Sequence, residues 1–166
     1  MKNVKNLLRK VSDDQRYELL SSIRHSVSGD TVLTRAATRG HAELCVTLLS
    51  SLSSADRLKL IIANKHAALH YAAFMGHTET VSGILNCLTA DQRLQLICTQ
   101  NNHGDTALKR AAREGHTEIV RTMLGHLTPE QQLKLLLLQN TDGDTALHHA
   151  AWRGRTETVK TLLDNL

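Results

Sequence analysis

The sequence predicts an all-α protein, a helical repeat solenoid whose units each carry an added short helix. Three observations lead there. A glycine-centred block recurs four times, an amphipathic helical pattern follows each copy, and a further helix-start signal recurs between copies. Self-similarity at such a period marks units that stack to bury one continuous core.

The blocks read AATRGHAE (36–43), AAFMGHTE (72–79), AAREGHTE (111–118) and AAWRGRTE (150–157), with glycines spaced by 36, 39 and 39 residues. A leucine precedes each alanine pair by three residues: Leu33, Leu69, Leu108 and Leu147. Each block therefore starts as a short Ala-rich helix and passes into a second helix, LCVTLL, TVSGIL, IVRTML or TVKTLL. The third element is SDDQRYELL (12–20), SSADRLKLI (53–61), TADQRLQLI (89–97) and TPEQQLKLL (128–136). Ser or Thr followed three residues later by Gln or Asp is a capping box or a close relative. Pro129 falls at a first helical position, where its missing N–H costs nothing. The links QNNHGD and QNTDGD predict turns in which Gly and Asn supply positive φ.

Composition agrees. At 166 residues the chain has the length of one domain, with 41% apolar residues but only 2% aromatic, so the core must be aliphatic. The net charge of +4 implies no partner by itself. Three cysteines, Cys45, Cys87 and Cys98, make no disulfide framework and point to a reducing compartment. The charged start lacks a signal peptide's apolar stretch. The longest aliphatic run, LLLL (135–138), is far short of the roughly 20 residues of a membrane span. The expectation is a soluble protein inside the cell, in the cytoplasm, without a membrane partner.

GDTALKRAAREGHTEIVRTML (104–124) and GDTALHHAAWRGRTETVKTLL (143–163) resemble ankyrin repeats, whose pattern is G-x-T-P-L-H-x-A-A-x-x-G-H-x-E-I-V-x-x-L-L. The likeness runs through residues 30–166 in four copies, lengthened from the family period of about 33 residues by the added helix. It divides one continuous solenoid into 1–29 (a partial repeat, second helix plus added helix), 30–65, 66–102, 103–141 and 142–166 (a C-terminal partial repeat). Ala107 and Ala146 replace the family's proline, and Thr34 and Lys109 stand where His70 and His148 keep the motif histidine. In the second unit Ala67 replaces the capping threonine, a local weakness of about 1 kcal/mol.

Counting back from each glycine, positions minus five, minus two and minus one share a helix face. Stacked, they form a ribbon: Arg35, Thr38 and Arg39; Tyr71, Phe74 and Met75; Arg110, Arg113 and Glu114; His149, Trp152 and Arg153. The alanine pairs face the other helix. In ankyrin proteins this side lines the concave groove, so the resemblance makes the ribbon the candidate partner-binding site. It holds three of the chain's four aromatics and five arginines, a composition typical of binding hot spots. The plainer reading is that Tyr71 packs on the next unit and Trp152 covers an exposed end. Tyr17, the fourth aromatic, reads as packing in the N-terminal added helix. Asn102, His103, Asp105, Thr141, Asp142 and Asp144 make a second candidate rim.

No catalytic constellation appears, and no enzyme activity, cofactor or metal is expected. His41, His77 and His116 follow the repeat glycine and read as hydrogen-bonding residues between neighbouring loops. His66 and His70, or His148 and His149, lack companions at ligand spacing. Cys45 aligns with Val81, Val120 and Val159, and Cys98 with Ile62 and Leu137; both read as buried hydrophobes, and Cys87 as the accessible thiol. The expected function is recognition of a protein bearing apolar and acidic groups. The alternatives are an architectural spacer or engineered repeat scaffold, and a nucleic-acid ribbon of arginines and aromatics. Leu162, Leu163 and Leu166 suggest a cut array with an open end capable of weak self-association.

Overall fold

The computed structural model describes residues 6, 8–22, 30–62 and 68–166. Ala67 and His66 lie outside these residues, as do parts of the N-terminal partial repeat. Twelve helices follow one another: α1 (Asp13–Ser22), α2 (Val32–Thr38), α3 (Ala42–Ser50), α4 (Ser54–Ile62), α5 (Ala68–Met75), α6 (Thr78–Asn86), α7 (Ala90–Cys98), α8 (Ala107–Glu114), α9 (Thr117–Leu124), α10 (Pro129–Leu137), α11 (Ala146–Trp152) and α12 (Thr156–Leu163). No strand occurs among the described residues, apart from an isolated bridge between Gln100 and Thr106. The glycine blocks give the pairs α2–α3, α5–α6, α8–α9 and α11–α12, while α1, α4, α7 and α10 are the added helices.

Local chemistry sets the helix ends. Thr31 and Thr106 cap α2 and α8 by accepting from the N–H groups of Thr34 and Lys109, at 3.2 and 3.3 Å. Thr89 with Gln92 and Thr128 with Gln131 form complete capping boxes on α7 and α10, and Pro129 begins α10. At the other end of the first helices the chain turns through glycine, with φ of +80° at Gly76 and +83° at Gly115. A side chain there would also collide: a Cβ on Gly76 lies 2.7 Å from His116, and one on Gly115 lies 2.8 Å from Arg155.

The hairpins correct one expectation. No residue other than glycine has positive φ among the described residues, so the asparagines act through their side chains. Asn101 Oδ1 accepts from the N–H groups of His103 (2.9 Å) and Asp105 (3.0 Å), and Asn140 Oδ1 from those of Asp142 (3.0 Å) and Asp144 (2.8 Å). Gly104 and Gly143 take the left-handed positions.

The core is aliphatic and continuous. Leu33, Leu69 and Leu108 are fully buried, each contributing about 1.5–3 kcal/mol relative to exposure. The alanine pairs 36–37, 72–73 and 111–112 are buried, and their small size lets adjacent first helices approach closely. Of the last unit's alanine pair only Ala150 is buried. Ala151 is exposed, because the second alanine of each pair faces the following unit rather than its own second helix. Tyr17 packs against the core, with Lys59 Nζ 5.7 Å from its ring centroid.

The added helices perform a task not anticipated from the motif. Four residues after each capping Ser or Thr stands Arg16, Arg57, Arg93 or Gln132. Arg57 Nε donates to the carbonyls of Leu49 (2.9 Å) and Leu52 (3.1 Å) at the end of its own second helix, and Nη1 reaches Cys87 O of the next unit at 3.1 Å. Arg16 repeats this towards Leu8 O (2.5 Å) and Ser51 O (3.1 Å). Arg93 Nη1 donates to His126 Nδ1 at 3.2 Å, and Gln132 keeps the intra-unit part, to Leu124 O at 2.8 Å. Helix C-termini leave four carbonyls without partners, and Arg16, Arg57 and Gln132 supply donors to them, whereas Arg93 meets the His126 ring and leaves its buried Nε unpaired.

Arg57→Ala is therefore expected to cost about 2 kcal/mol, whereas Arg57→Gln, which keeps the intra-unit bonds, costs about half as much. Urea unfolding midpoints check this; equal losses would remove the inter-unit bond from the account.

Candidate functional site

The ribbon positions occupy one side of α2, α5, α8 and α11, which pack in that order. In the first row Arg35 and Arg39 are exposed and Thr38 is half-buried. In the second, Tyr71 and Phe74 are half-buried and Met75 is 48% exposed. Arg110, Arg113 and Glu114 in the third are all half-buried. In the fourth, Trp152 is 75% exposed, more than any other large hydrophobic side chain described, and Arg153 is exposed beside it.

Two cation–π pairs organise these rows. The Arg110 guanidinium lies 4.6 Å from the Phe74 ring centroid, so the third row covers the aromatic of the second. Arg153 lies 5.4 Å from the Trp152 ring. Such pairs contribute about 0.5–1 kcal/mol at exposed sites and also hold the guanidinium in place. Glu114 Oε1 stands 3.7 Å from Arg113 Nε, which offsets one positive charge locally.

The register between rows comes from a ladder of side chains reaching back one unit. His77 Nε2 meets Thr38 O at 3.1 Å, and His116 Nε2 meets Phe74 O at 3.1 Å. Arg155, replacing the histidine, donates from Nε to Arg113 O at 3.3 Å. A carbonyl only accepts, so each of these histidines carries its proton on Nε2. The acceptor is always the ribbon residue two before the glycine. These histidines thus bond a first-helix C-terminus rather than a neighbouring loop, and His41 makes no side-chain cap bond to its own helix.

Two sequence-predicted site residues belong to the interior instead. His149 has a side chain only 11% exposed, facing Asp105 Oδ1 at 3.6 Å. Asp105, placed on the second rim by its hairpin position, is buried at 7% exposure. Its carbonyl accepts from His70 Nε2 at 3.0 Å, its Oδ1 accepts from Asn140 Nδ2 at 3.1 Å, and Asn140 Nδ2 lies 3.3 Å from His149 Nε2. One aspartate therefore ties three successive units. Lys109 is buried beside it at 1% exposure, with Nζ 3.4 Å from Gly104 O. Burial pushes the Lys109 pKa down, while Asp105 and Asp144 push it back up. Asn102, His103, Thr141 and Asp142 are exposed, and Asp144 is half-buried. His148 bonds within its own unit, accepting on Nδ1 from the Thr145 N–H at 3.3 Å. The arginine column and the Asp105 hub escaped the sequence reading. The first has a visible signal in its fixed place after the cap; the second has none.

Among the described residues no group of three or more His, Cys, Asp or Glu side chains could hold a metal ion. No helix described is long and apolar enough to cross a membrane. Cys45 is fully buried, but Cys98 is half-buried like Cys87. Ile62, aligned with Cys98, is also half-buried, because that position lies at the margin of the added helix's apolar side. Burial raises the pKa of all three thiols, the opposite of what an activated nucleophile needs.

A family model for ankyrin repeats matches the chain in three overlapping copies, over residues 2–95, 52–134 and 92–166. The chain belongs to the ankyrin repeat family. Ankyrin repeats are generally protein–protein interaction modules and generally lack enzymatic activity. No curated protein matches the chain.

In this ankyrin array Cys45 occupies the column filled elsewhere by Val81, Val120 and Val159, and its pKa is pushed from 9.0 to about 11. A raised thiol pKa stabilises the fold fully below pH 9.0, and that share is lost as pH rises towards about 11. Cys45→Val is expected to lie within about 1.5 kcal/mol of the parent near neutrality. Its stability relative to the parent should then improve by about 1–2 kcal/mol across that alkaline window. Urea unfolding at pH 7.5, 9 and 10.5 checks it, and a difference independent of pH contradicts it.

Proposed function

We propose that this ankyrin array is a non-enzymatic recognition module that binds another protein through the ribbon side of its first helices. The supporting observation is Trp152, a large aromatic left 75% exposed beside Arg153, together with Met75 at 48%. Exposure of large apolar side chains removes hydrophobic stabilisation, and residues of this kind mark contact surfaces when they stand together with arginine. Their neighbours support the same reading. Arg35, Arg39, Tyr71, Phe74, Arg110, Arg113, Glu114 and Arg153 form the adjoining surface, while His149 holds the frame behind it. A uniform spacer needs no such differences between rows, which run basic, aromatic, basic and mixed.

The test uses the double variant Met75→Ser, Trp152→Ser, because both side chains are exposed and their loss leaves the core intact. Circular dichroism establishes equal folding, and capture from cell lysate is read by mass spectrometry. At least one protein is expected on the parent and absent from the variant. Identical retained sets would overturn the reading in favour of a spacer. Sensitivity to Trp152→Ser alone, with only further copies of this chain captured, would assign Trp152 to self-association at the exposed end.

A further inference from the structure

Resting on that reading, we propose that the ribbon takes an acidic segment in polyproline II conformation, with acidic and apolar side chains alternating every three residues. The argument starts from pitch. Adjacent first helices meet through buried alanine pairs, and helices in such contact lie about 8–10 Å apart. The ladder from His77 to Thr38 O, His116 to Phe74 O and Arg155 to Arg113 O repeats one geometry at each boundary, so the rows line up at that pitch. A polyproline II helix rises about 3.1 Å per residue with three residues per turn, so it presents one face every ~9.3 Å. A β-strand alternates faces every residue, so its every-third side chains would point alternately towards and away from the ribbon.

The rows then dictate the chemistry. The first offers Arg35 and Arg39, and the second Tyr71, Phe74 and Met75. The third offers Arg110 and Arg113, and the fourth Trp152 with Arg153. Five arginines stand against one glutamate, Glu114, which already lies 3.7 Å from Arg113. Charge complementarity asks for carboxylates opposite the first and third rows and apolar groups opposite the second and fourth. The Arg110 guanidinium, held over Phe74 at 4.6 Å, is already oriented to meet a carboxylate beside an apolar contact. That same contact argues against single-stranded nucleic acid. A base needs an open aromatic face to stack on, and Arg110 covers a face of Phe74.

The test is fluorescence anisotropy with labelled synthetic peptides of about ten residues, the span of four polyproline turns' contact points. One carries aspartate at its first and seventh positions, leucine at its fourth and tenth, and proline elsewhere; a second is its reverse, since either polarity could run along the rows. A scrambled peptide of the same composition is the control. One polarity is expected to bind at least about tenfold tighter than the scramble and to weaken with added salt. Arg110→Glu should lose about tenfold, regained when the aspartate opposite the third row, the seventh residue of the first peptide or the fourth of its reverse, becomes lysine. Arg39→Glu, which alters an exposed residue of the first row, is the second variant should Arg110→Glu fold poorly, and it should lose binding likewise, regained when the aspartate opposite the first row becomes lysine. Equal binding of ordered and scrambled peptides overturns the proposal. So does tighter binding of an oligothymidylate of matching length, which would assign the ribbon to nucleic acid. If neither peptide binds while lysate capture still depends on Met75 and Trp152, this proposal fails and the protein-binding reading stands. If both experiments fail, both are wrong.

Discussion

The rest of the structure depends on how each first helix finishes. Its last carbonyls have no partner within the helix, and burying them unpaired against the next unit would cost about 1–3 kcal/mol each. The following unit supplies the donor, His77 to Thr38 O, His116 to Phe74 O and Arg155 to Arg113 O. For that ring or guanidinium to reach in, the residue before it must be glycine and the preceding unit's turn must have no Cβ in the way. For the helices to lie close enough, the facing residues must be alanine. The block that recurs four times is therefore one constraint expressed in several residue types.

What that constraint leaves free is the ribbon. Apart from His149, which joins the Asp105 hub, positions minus five, minus two and minus one from each glycine lie off the stacked alanine surface, so side chains there vary without disturbing the boundary. Rows of different character can consequently sit on a frame of fixed pitch, and the side chains of the proposed site are held by rigid elements rather than by loops. Arg57 and Gln132 of the added helices brace the opposite ends of the second helices before them, and Arg57 also reaches the end of the next one. The buried Asp105 hub joins His70, Asn140 and His149 across three units. Those two systems make the third and fourth rows part of one body, and a surface that spans several units requires that.

Much of this was legible in the sequence because the repeat encodes it locally. Capping boxes, the glycine turns, the alanine pairs and the buried leucines each follow from residue type and spacing, and the ribbon's membership follows from helix periodicity. The parts not legible involve partners distant in sequence. Asp105 reads as an exposed turn residue until the next hairpin folds over it, and His149 reads as a ribbon member until Asn140 and Asp105 occupy its ring. Ala151 looks identical to Ala37, Ala73 and Ala112, yet it is exposed because no unit packs on it. Propensity alone gives the hairpin asparagines positive φ, whereas an asparagine side chain can instead accept from backbone N–H groups, and in Asn101 and Asn140 it does.

The measurement that tests this most directly is native-state hydrogen exchange on His116→Ala, which removes one rung and leaves every helix sequence otherwise intact. If the boundary bond couples neighbouring units, amides in α5, α6, α8 and α9 should exchange about fivefold faster, equivalent to about 1 kcal/mol, while α11 and α12 keep their protection. Faster exchange confined to the first turn of α9, or spread evenly over the whole chain, would contradict it. The bond would then be a local cap and not the joint on which the stack is built.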